Sequence, residues 1–572
     1  MRIAAGWLLL ASVVASAQIL PLPPRATNAP VGSVFAGQIA SMGIAERDQE
    51  IAAQIVGGNV PDWMRRFVPV TVSGVIDGRS NSLTVFVTAD YLGVGTGEDF
   101  FRTPMMPMTA QRIADRLDCI LPTRAMVDAI YKAAEVKLAP EPIPPSAAMT
   151  TVPVFVKHNE MVRAQLAGRE RGGLVAGDQK DVVVSARLEK SQGKVAIYGW
   201  HRTNGVAIQP LSLGHSAGWV DYSHGIRLVD NHVVLNGTNT TVEDILANSR
   251  LCSLLSDEGV VANPRYDTNL IIFLPTGSFG ERAATFTIEP ETRVQINEGA
   301  DFTPGKPVLL IFYALPNGNT IEETVGRKLR PGDDWHFGIQ QIGAQTRFLR
   351  GVITNRAVVV AYLQAESLSW PSWRAKHGDG GIPGIFASVK HIYDAHPMET
   401  VLAGHSGGGS LIFGYLNTVE KVPADVRRIA FLDSDYAYDS ARGHGDKLAE
   451  WLREPPEHFL CVLAYNDAIA RLDGQPFVTP EGGTWGRSHA MLRDLATQFD
   501  FTSTTNGVGL ERYSALDGRV QFLLHTNPER KILHTVQVQR NGFIQAILAG
   551  TDQEGRGYEY FGPEVYTNWI AP

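Results

Sequence analysis

The chain predicts an α/β protein in which a doubly wound, mostly parallel sheet follows a separate α+β domain. Three observations carry this. Beyond residue 266, short apolar runs at 270–274, 308–314, 358–363, 400–403, 428–432, 459–464 and 520–524 alternate with helical periodicity at 384–395, 408–418 and 488–498. Continuous apolar strands separated by helices belong to a parallel sheet covered on both faces. Before residue 266 the pattern instead mixes a hairpin with short helices. The third observation is length, since 572 residues exceed what one core supports.

The chain opens MRIAAGWLLLASVVASAQ. Arg2, the apolar stretch at 3–14 and the small residues Ala15 and Ala17 before Gln18 read as a secretory signal peptide over residues 1–17. About a dozen apolar residues are short of the ~20 a spanning helix needs, and no later segment qualifies as a transmembrane helix. The expected address is therefore secreted or periplasmic. Residues 18–44 form a Pro-rich N-terminal segment whose start, 20–31, reads as a tether.

Residues 45–266 make up the α+β domain. Alternation over 71–89, with Asp77-Gly78 at its turn, predicts a β-hairpin. Residues 109–119 and 123–134 carry helical periodicity on either side of Pro122 and read as two packed core helices. Strands are expected at 182–188 and 194–198, and a helix at 242–255 closes the domain. Residues 267–572 are the α/β domain.

Charge excludes one class of partner. Fifty-one basic against fifty-nine acidic side chains give a net charge of −8, with no general pull on phosphate backbones, so nucleic acid is not an expected partner. Export gives the three cysteines a meaning. Cys119 and Cys252 share a domain and can pair, leaving Cys461 odd, although the sequence does not choose among the three pairings.

His201, His215, Asp221 and His224 fall within two dozen residues of the first domain. Imidazole and carboxylate suit Zn²⁺, so a hydrolytic metal site is one expectation there. The spacing matches no metal-binding helix, and a hydrogen-bonded cluster is the other reading. The nearby Trp200, Trp219 and Tyr222 suit a sugar- or peptide-stacking surface.

Organising the second domain is the stretch TVLAGHSGGGSLIFGY at 400–415: an apolar run, then Gly404-His405-Ser406-Gly407-Gly408, then a helical segment. Gly214-His215-Ser216-Ala217-Gly218 has the same spacing, but no strand leads into it and no helix follows. A serine hydroxyl needs a base to take its proton and a tight turn to present it. Flanking glycines relieve the crowded turn, and the helix start offers N–H groups to developing negative charge.

This strand, elbow and helix resemble the α/β-hydrolase superfamily of esterases, lipases and peptidases. The resemblance covers roughly residues 267–572 and implies a triad in the order nucleophile, acid, histidine. Ser406 is then the nucleophile. Asp467, at the end of the run 459–464, is the favoured acid, with Asp433 and Asp435 after the preceding strand as alternatives. His534, beyond the last strand, is the favoured base and His525 its rival, while His444 and His489 precede that strand and fit the order less well. The oxyanion hole implied by the resemblance combines the Gly407 N–H with a donor from Leu315 or Asn317 after the run 308–314.

The expected function is an exported serine hydrolase cleaving an ester, less readily an amide, through an acyl-enzyme, with no cofactor. The first domain is expected to help bind substrate. A metal-dependent hydrolase in the first domain and a non-catalytic binding protein on the same scaffold are the rival classes. Trp370, Trp373 and Trp485 are candidate pocket walls. Oligomeric state and the identity of the substrate are not legible.

Overall fold

The computed structural model describes residues 19–572 apart from 170, 171, 304, 455, 456, 472–474, 476, 477, 480 and 508. The secretory leader expected at 1–17, with its cleavage point before Gln18, lies outside the described residues. The chain divides into two compact units, one ending at Ile272 and the other spanning Phe273–Pro572.

In the first unit Asp77 and Gly78 sit at φ 49° and 75°. Such left-handed turn residues match the twist of a two-residue hairpin. They join Phe67–Ile76 to Arg79–Thr88, with Phe67 opposite Thr88 and Ile76 opposite Arg79. The hairpin anchors a six-stranded sheet. Leu83, Val85 and Val87 alternate inward and meet Met126 and Ile130. Those two come from the helix Arg124–Ala133, which is capped by the Thr123 hydroxyl. With Pro107–Arg116, this helix stands where the periodicity on either side of Pro122 puts it.

Several expectations for this unit are corrected. The strand expected at 182–188 is confined to Lys180–Val182, because the Ser185 side chain accepts from Arg187 N and starts a 3₁₀ turn over Ala186–Lys190. The strand expected at 194–198 runs over Ile197–His201. The helix expected at 242–255 stops at Ala247, where the Asn248 side chain accepts the N–H groups of Arg250 and Leu251 and begins a new turn. Residues 20–31 are docked rather than a tether: Leu20 is buried, its N–H donates to Arg65 O at 2.8 Å, and Arg25 donates to Asn59 and Ala29. Cys119, Cys252 and Cys461 are all free and buried, so the Cys119–Cys252 bridge is not formed.

The second unit holds an eleven-stranded sheet. Its strands are β1 (Leu274–Pro275), β2 (Arg282–Ile288), β3 (Thr292–Glu298), β4 (Val308–Ala314), β5 (Ala357–Ala365), β6 (Met398–His405), β7 (Val426–Leu432), β8 (Phe459–Tyr465), β9 (Thr502–Thr505), β10 (Leu510–Ala515) and β11 (Val520–His525). Across the sheet they run β1-β2-β3-β5-β4-β6-β7-β8-β11-β10-β9. The block from β5 to β11 is parallel, and antiparallel strands extend it on both sides. Alternate residues of β4 serve opposite faces. Val308, Leu310 and Phe312 pack with Ile385, Phe386 and the helix α1 (Gly409–Thr418), while Leu309, Ile311 and Tyr313 pack with Ile342, Leu349 and Phe543. Helices thus cover both faces, and the carboxyl ends of β4, β6, β7 and β8 lie side by side, where a doubly wound sheet carries its ligands. No helix of the described residues is long and apolar enough to cross a membrane.

Candidate active site

The elbow forms at the end of β6. Ser406 has φ +53°, in the left-handed region that a non-glycine residue enters only when its surroundings hold it there. The crowding explains the glycines. A Cβ at Gly408 would collide with the Ala314 carbonyl at the end of β4, and one at Gly409 with the Ser434 carbonyl beyond β7. One at Gly407 would overlap the Asn317 side-chain amide, and one at Gly404 would press on Gly408. Only hydrogen fits at these places, so α1 starts wedged between the ends of β4 and β7. Among the described residues the Ser406 hydroxyl makes no hydrogen bond.

His534 lies beside this turn. Its ring packs against that of His405, the residue before Ser406, with centroids 4.6 Å apart, and meets Tyr436 edge-on at 6.4 Å. His405 Nε2 lies 3.2 Å from the His534 carbonyl and its Nδ1 3.3 Å from Gln340 Oε1. Burial holds the His405 pKa well below the ordinary histidine value, so its ring is neutral and its single N–H is free to donate to that carbonyl. The His534 side chain is about a quarter exposed, whereas its carboxylate partner is fully buried.

That partner is Asp433, whose Oδ2 stands 2.5 Å from His534 Nδ1. The expected pairing of His534 with Asp467 is corrected. Asp433 follows β7 at φ +48°, a conformation that turns its side chain out of the strand direction, and its N–H donates to Leu463 O at 2.7 Å. Asp467 instead closes on the first turn of the helix α2 (Thr484–Ala496), accepting Thr484 N–H at 2.8 Å and Trp485 N–H at 3.4 Å. Burial and then the neighbouring Asp433 push the Asp467 carboxyl up to about 6. Asp435 accepts the Ser488 hydroxyl at 2.8 Å, and burial raises it well above the usual carboxylate range. Three carboxylates therefore share this end of the sheet, and the one that meets the histidine is Asp433.

The expected second oxyanion donor is narrowed. Leu315 N–H donates to Leu363 O at 3.1 Å, which commits it to the sheet. Asn317 remains, exposed in the loop after β4 with its side-chain amide over Gly407. The rival base His525 accepts Asn527 N–H on Nδ1 at 3.0 Å and packs against the tilted ring of Phe561, as a strand-end histidine bonded to backbone does. His444 is held by Asn417 and Asp439 N–H under Phe413, and His489 is bonded to the Trp485 carbonyl. Trp370 and Trp373 are buried core side chains rather than pocket walls. Thr484 and Gln340 escape sequence reasoning, since no spacing links them to Ser406, and His405, though adjacent to it, carried no role there.

In the first unit the histidines do not converge. His201 Nε2 bonds Asp128 at 2.9 Å and its ring stacks on Tyr131; His215 stacks on Trp219; His224 alone faces Asp221, at 3.6 Å. Among the described residues these four do not bring three ligand atoms within 4.8 Å of one another, because each sits on a different strand or turn and has taken a local partner. Burial also lowers His224 to about 4. Trp200 and Tyr222 are buried against His158 and do not form an exposed stacking surface. Glu323, Asp334 and His336 of the second unit do bring ligand atoms together. Glu323, however, closes a capping box with Thr320, and Asp334 is bonded to His336.

No protein-family model matches this chain, and no curated protein does. Solved structures similar to it include a cold-adapted esterase from an Arctic intertidal metagenomic library, at 10% identity and TM-score 0.24, covering 38% of this chain and 79% of that one. A siderophore hydrolase, EstB, from Aspergillus nidulans matches at 11% identity and TM-score 0.27, covering 50% and 97%. The feruloyl esterase module from Clostridium thermocellum, complexed with sinapinate, matches at 13% identity and TM-score 0.29, covering 50% and 96%. Strand order, helices on both faces and the elbow at Ser406 together give Phe273–Pro572 the α/β-hydrolase fold.

Proposed function

We propose that this chain is a serine ester hydrolase working through an acyl-enzyme, with Ser406 as nucleophile, His534 as base and Asp433 as the carboxylate that orients it. One observation carries the reading: the 2.5 Å bond between His534 Nδ1 and Asp433 Oδ2, beside a serine held at φ +53° on a strand-to-helix turn. The order along the chain remains nucleophile, acid, histidine.

In this reading Nδ1–H donates to Asp433, which leaves the lone pair on Nε2. Nε2 takes the Ser406 proton as Oγ attacks the acyl carbon, and the carbonyl oxygen becomes an oxyanion facing Gly407 N–H and the Asn317 amide. The imidazolium, stabilised by the buried Asp433, returns its proton to the departing alkoxide as the C–O bond breaks. Water then gives a proton to Nε2 and attacks the acyl-serine; collapse reprotonates Ser406 and releases the carboxylic acid. Export through a cleaved leader, read from Arg2 and residues 3–14, is part of the proposal and predicts a mature chain beginning at Gln18.

Purified protein assayed on acyl esters of graded chain length beside aminoacyl amides tests the reading. Esters are the expected substrates, and Ser406→Ala is expected to lose at least ~10⁴ in turnover with an unchanged circular dichroism spectrum. Retention of full activity in folded Ser406→Ala overturns it.

A further inference from the structure

The two oxygens of Asp433 have different partners. Oδ2 faces His534, and Oδ1 accepts the Thr484 hydroxyl at 2.5 Å. Thr484 is fully buried and is the first residue of α2, not its cap. The cap position is Gly483, which supplies no side chain, and the N–H groups of the first turn go to Asp467 instead. A Cβ at Gly483 would collide with both Asp467 oxygens, so that carboxylate lies flat on the helix start. With the helix capped from outside, the hydroxyl proton of Thr484 is free for another acceptor. It has two within reach, Asp433 Oδ1 at 2.5 Å and Asp467 Oδ2 at 3.4 Å, and the shorter distance selects Asp433.

The charges around Asp433 make this donor matter. Asp435 and Asp467 share its end of the sheet, and His534 and Thr484 are the side chains bonded to its two oxygens. A buried carboxylate with one oxygen unpartnered is free to rotate and costly to keep charged.

Resting on the reading of Ser406, His534 and Asp433 given above, we propose that Thr484 is a positioning residue of the reaction. Its hydroxyl, set in place by the grip of Asp467 on the start of α2, locks the Asp433 carboxylate with Oδ2 turned to His534. It touches neither substrate nor reacting atoms. Losing a hydrogen bond to a charged acceptor of this kind corresponds to roughly a 10–100-fold change.

The test compares Thr484→Val, Thr484→Ser and the wild type as full-length protein on a short acyl ester. Valine keeps the β-branched shape and removes the donor; serine keeps the donor. Thr484→Val is expected to lose about 10–100-fold in kcat with KM within about twofold, and Thr484→Ser to recover to within about threefold of wild type. A folded Thr484→Val with wild-type kcat overturns the proposal, and so does a Thr484→Ser as slow as the valine form. Should Thr484→Val fail to fold, Thr484→Ala against Thr484→Ser makes the same comparison, and equal kcat in those two overturns it. Ser406→Ala in parallel separates the two levels: an active Ser406→Ala removes the underlying reading, whereas an inactive Ser406→Ala with an unimpaired Thr484→Val removes only the role of Thr484.

Discussion

Replacing Asp433 and Asp467 by asparagine, one at a time, discriminates between the two carboxylates that end parallel strands. In Asp433→Asn the Thr484 hydroxyl still needs an acceptor at Oδ1, so the new amide nitrogen falls where Oδ2 stood, 2.5 Å from His534 Nδ1. Two N–H donors cannot face each other there. His534 must then carry its proton on Nε2, the nitrogen that has to accept from Ser406. The expected loss is about 10³–10⁴ in kcat, or ~4–5.5 kcal/mol at ~1.36 kcal/mol per tenfold, with KM within a few-fold. In Asp467→Asn one of two acceptors to the start of α2 is lost. That change costs ~1–3 kcal/mol of stability and no more than about tenfold in kcat. Initial rates on a short acyl ester, with thermal melts of both variants, provide the measurement. An Asp467→Asn that loses the larger factor while Asp433→Asn stays near wild type refutes the assignment.

Asn317→Ala is expected to lower kcat by about 10–10³ with little change in KM, because in the proposed reaction the amide over Gly407 serves only the oxyanion; steady-state rates check this, and a change confined to KM contradicts it. The first unit offers a stability test. Asp178 is buried 3.4 Å from Arg102 Nε with neither carboxylate oxygen hydrogen-bonded among the described residues, and burial, then Asp90, outweigh Arg102 and Arg227 and push its pKa up to about 7, above the ~3.9 of an unfolded chain. A carboxyl raised in the folded state contributes stability that is fully present below ~3.9 and is lost as pH rises through about 7. Asp178→Asn, which mimics the neutral form, should therefore gain on wild type between pH 5 and pH 8 in urea titrations of the whole chain; a difference that is flat or shrinks with pH contradicts the account.

What the sequence made legible was local. The elbow could be read because a strand, a glycine-flanked serine and a helix are adjacent in the chain, and the runs that became β4 to β8 are mostly apolar because both of their faces are covered. The flanking strands β2, β3 and β10 were missed for the opposite reason: partly exposed, they alternate with polar residues and show no continuous apolar run. His534 was reachable from chain order alone. The carboxylate that meets it was not, because Asp433 and Asp467 both end parallel strands and differ only in three dimensions, where Asp433 bonds His534 and the start of α2 claims Asp467.

The same limit applies to the first unit. His201, His215, Asp221 and His224 are close along the chain, and proximity in sequence suggested a shared ligand. In the fold each takes its own neighbour, Asp128, Trp219 or the Asp221–His224 pair, and the shared site dissolves. The Leu315 donor failed in a related way, since a strand-end N–H is available only if the adjacent strand leaves it free, and β5 does not.

Labelling with an active-site phosphonate, followed by intact mass and peptide mapping, asks whether Ser406 is the nucleophile. One adduct is expected, on the peptide carrying Ser406, absent from Ser406→Ala and strongly slowed in His534→Ala. An adduct on another serine, Ser216 included, or no adduct on a protein that hydrolyses esters, contradicts it.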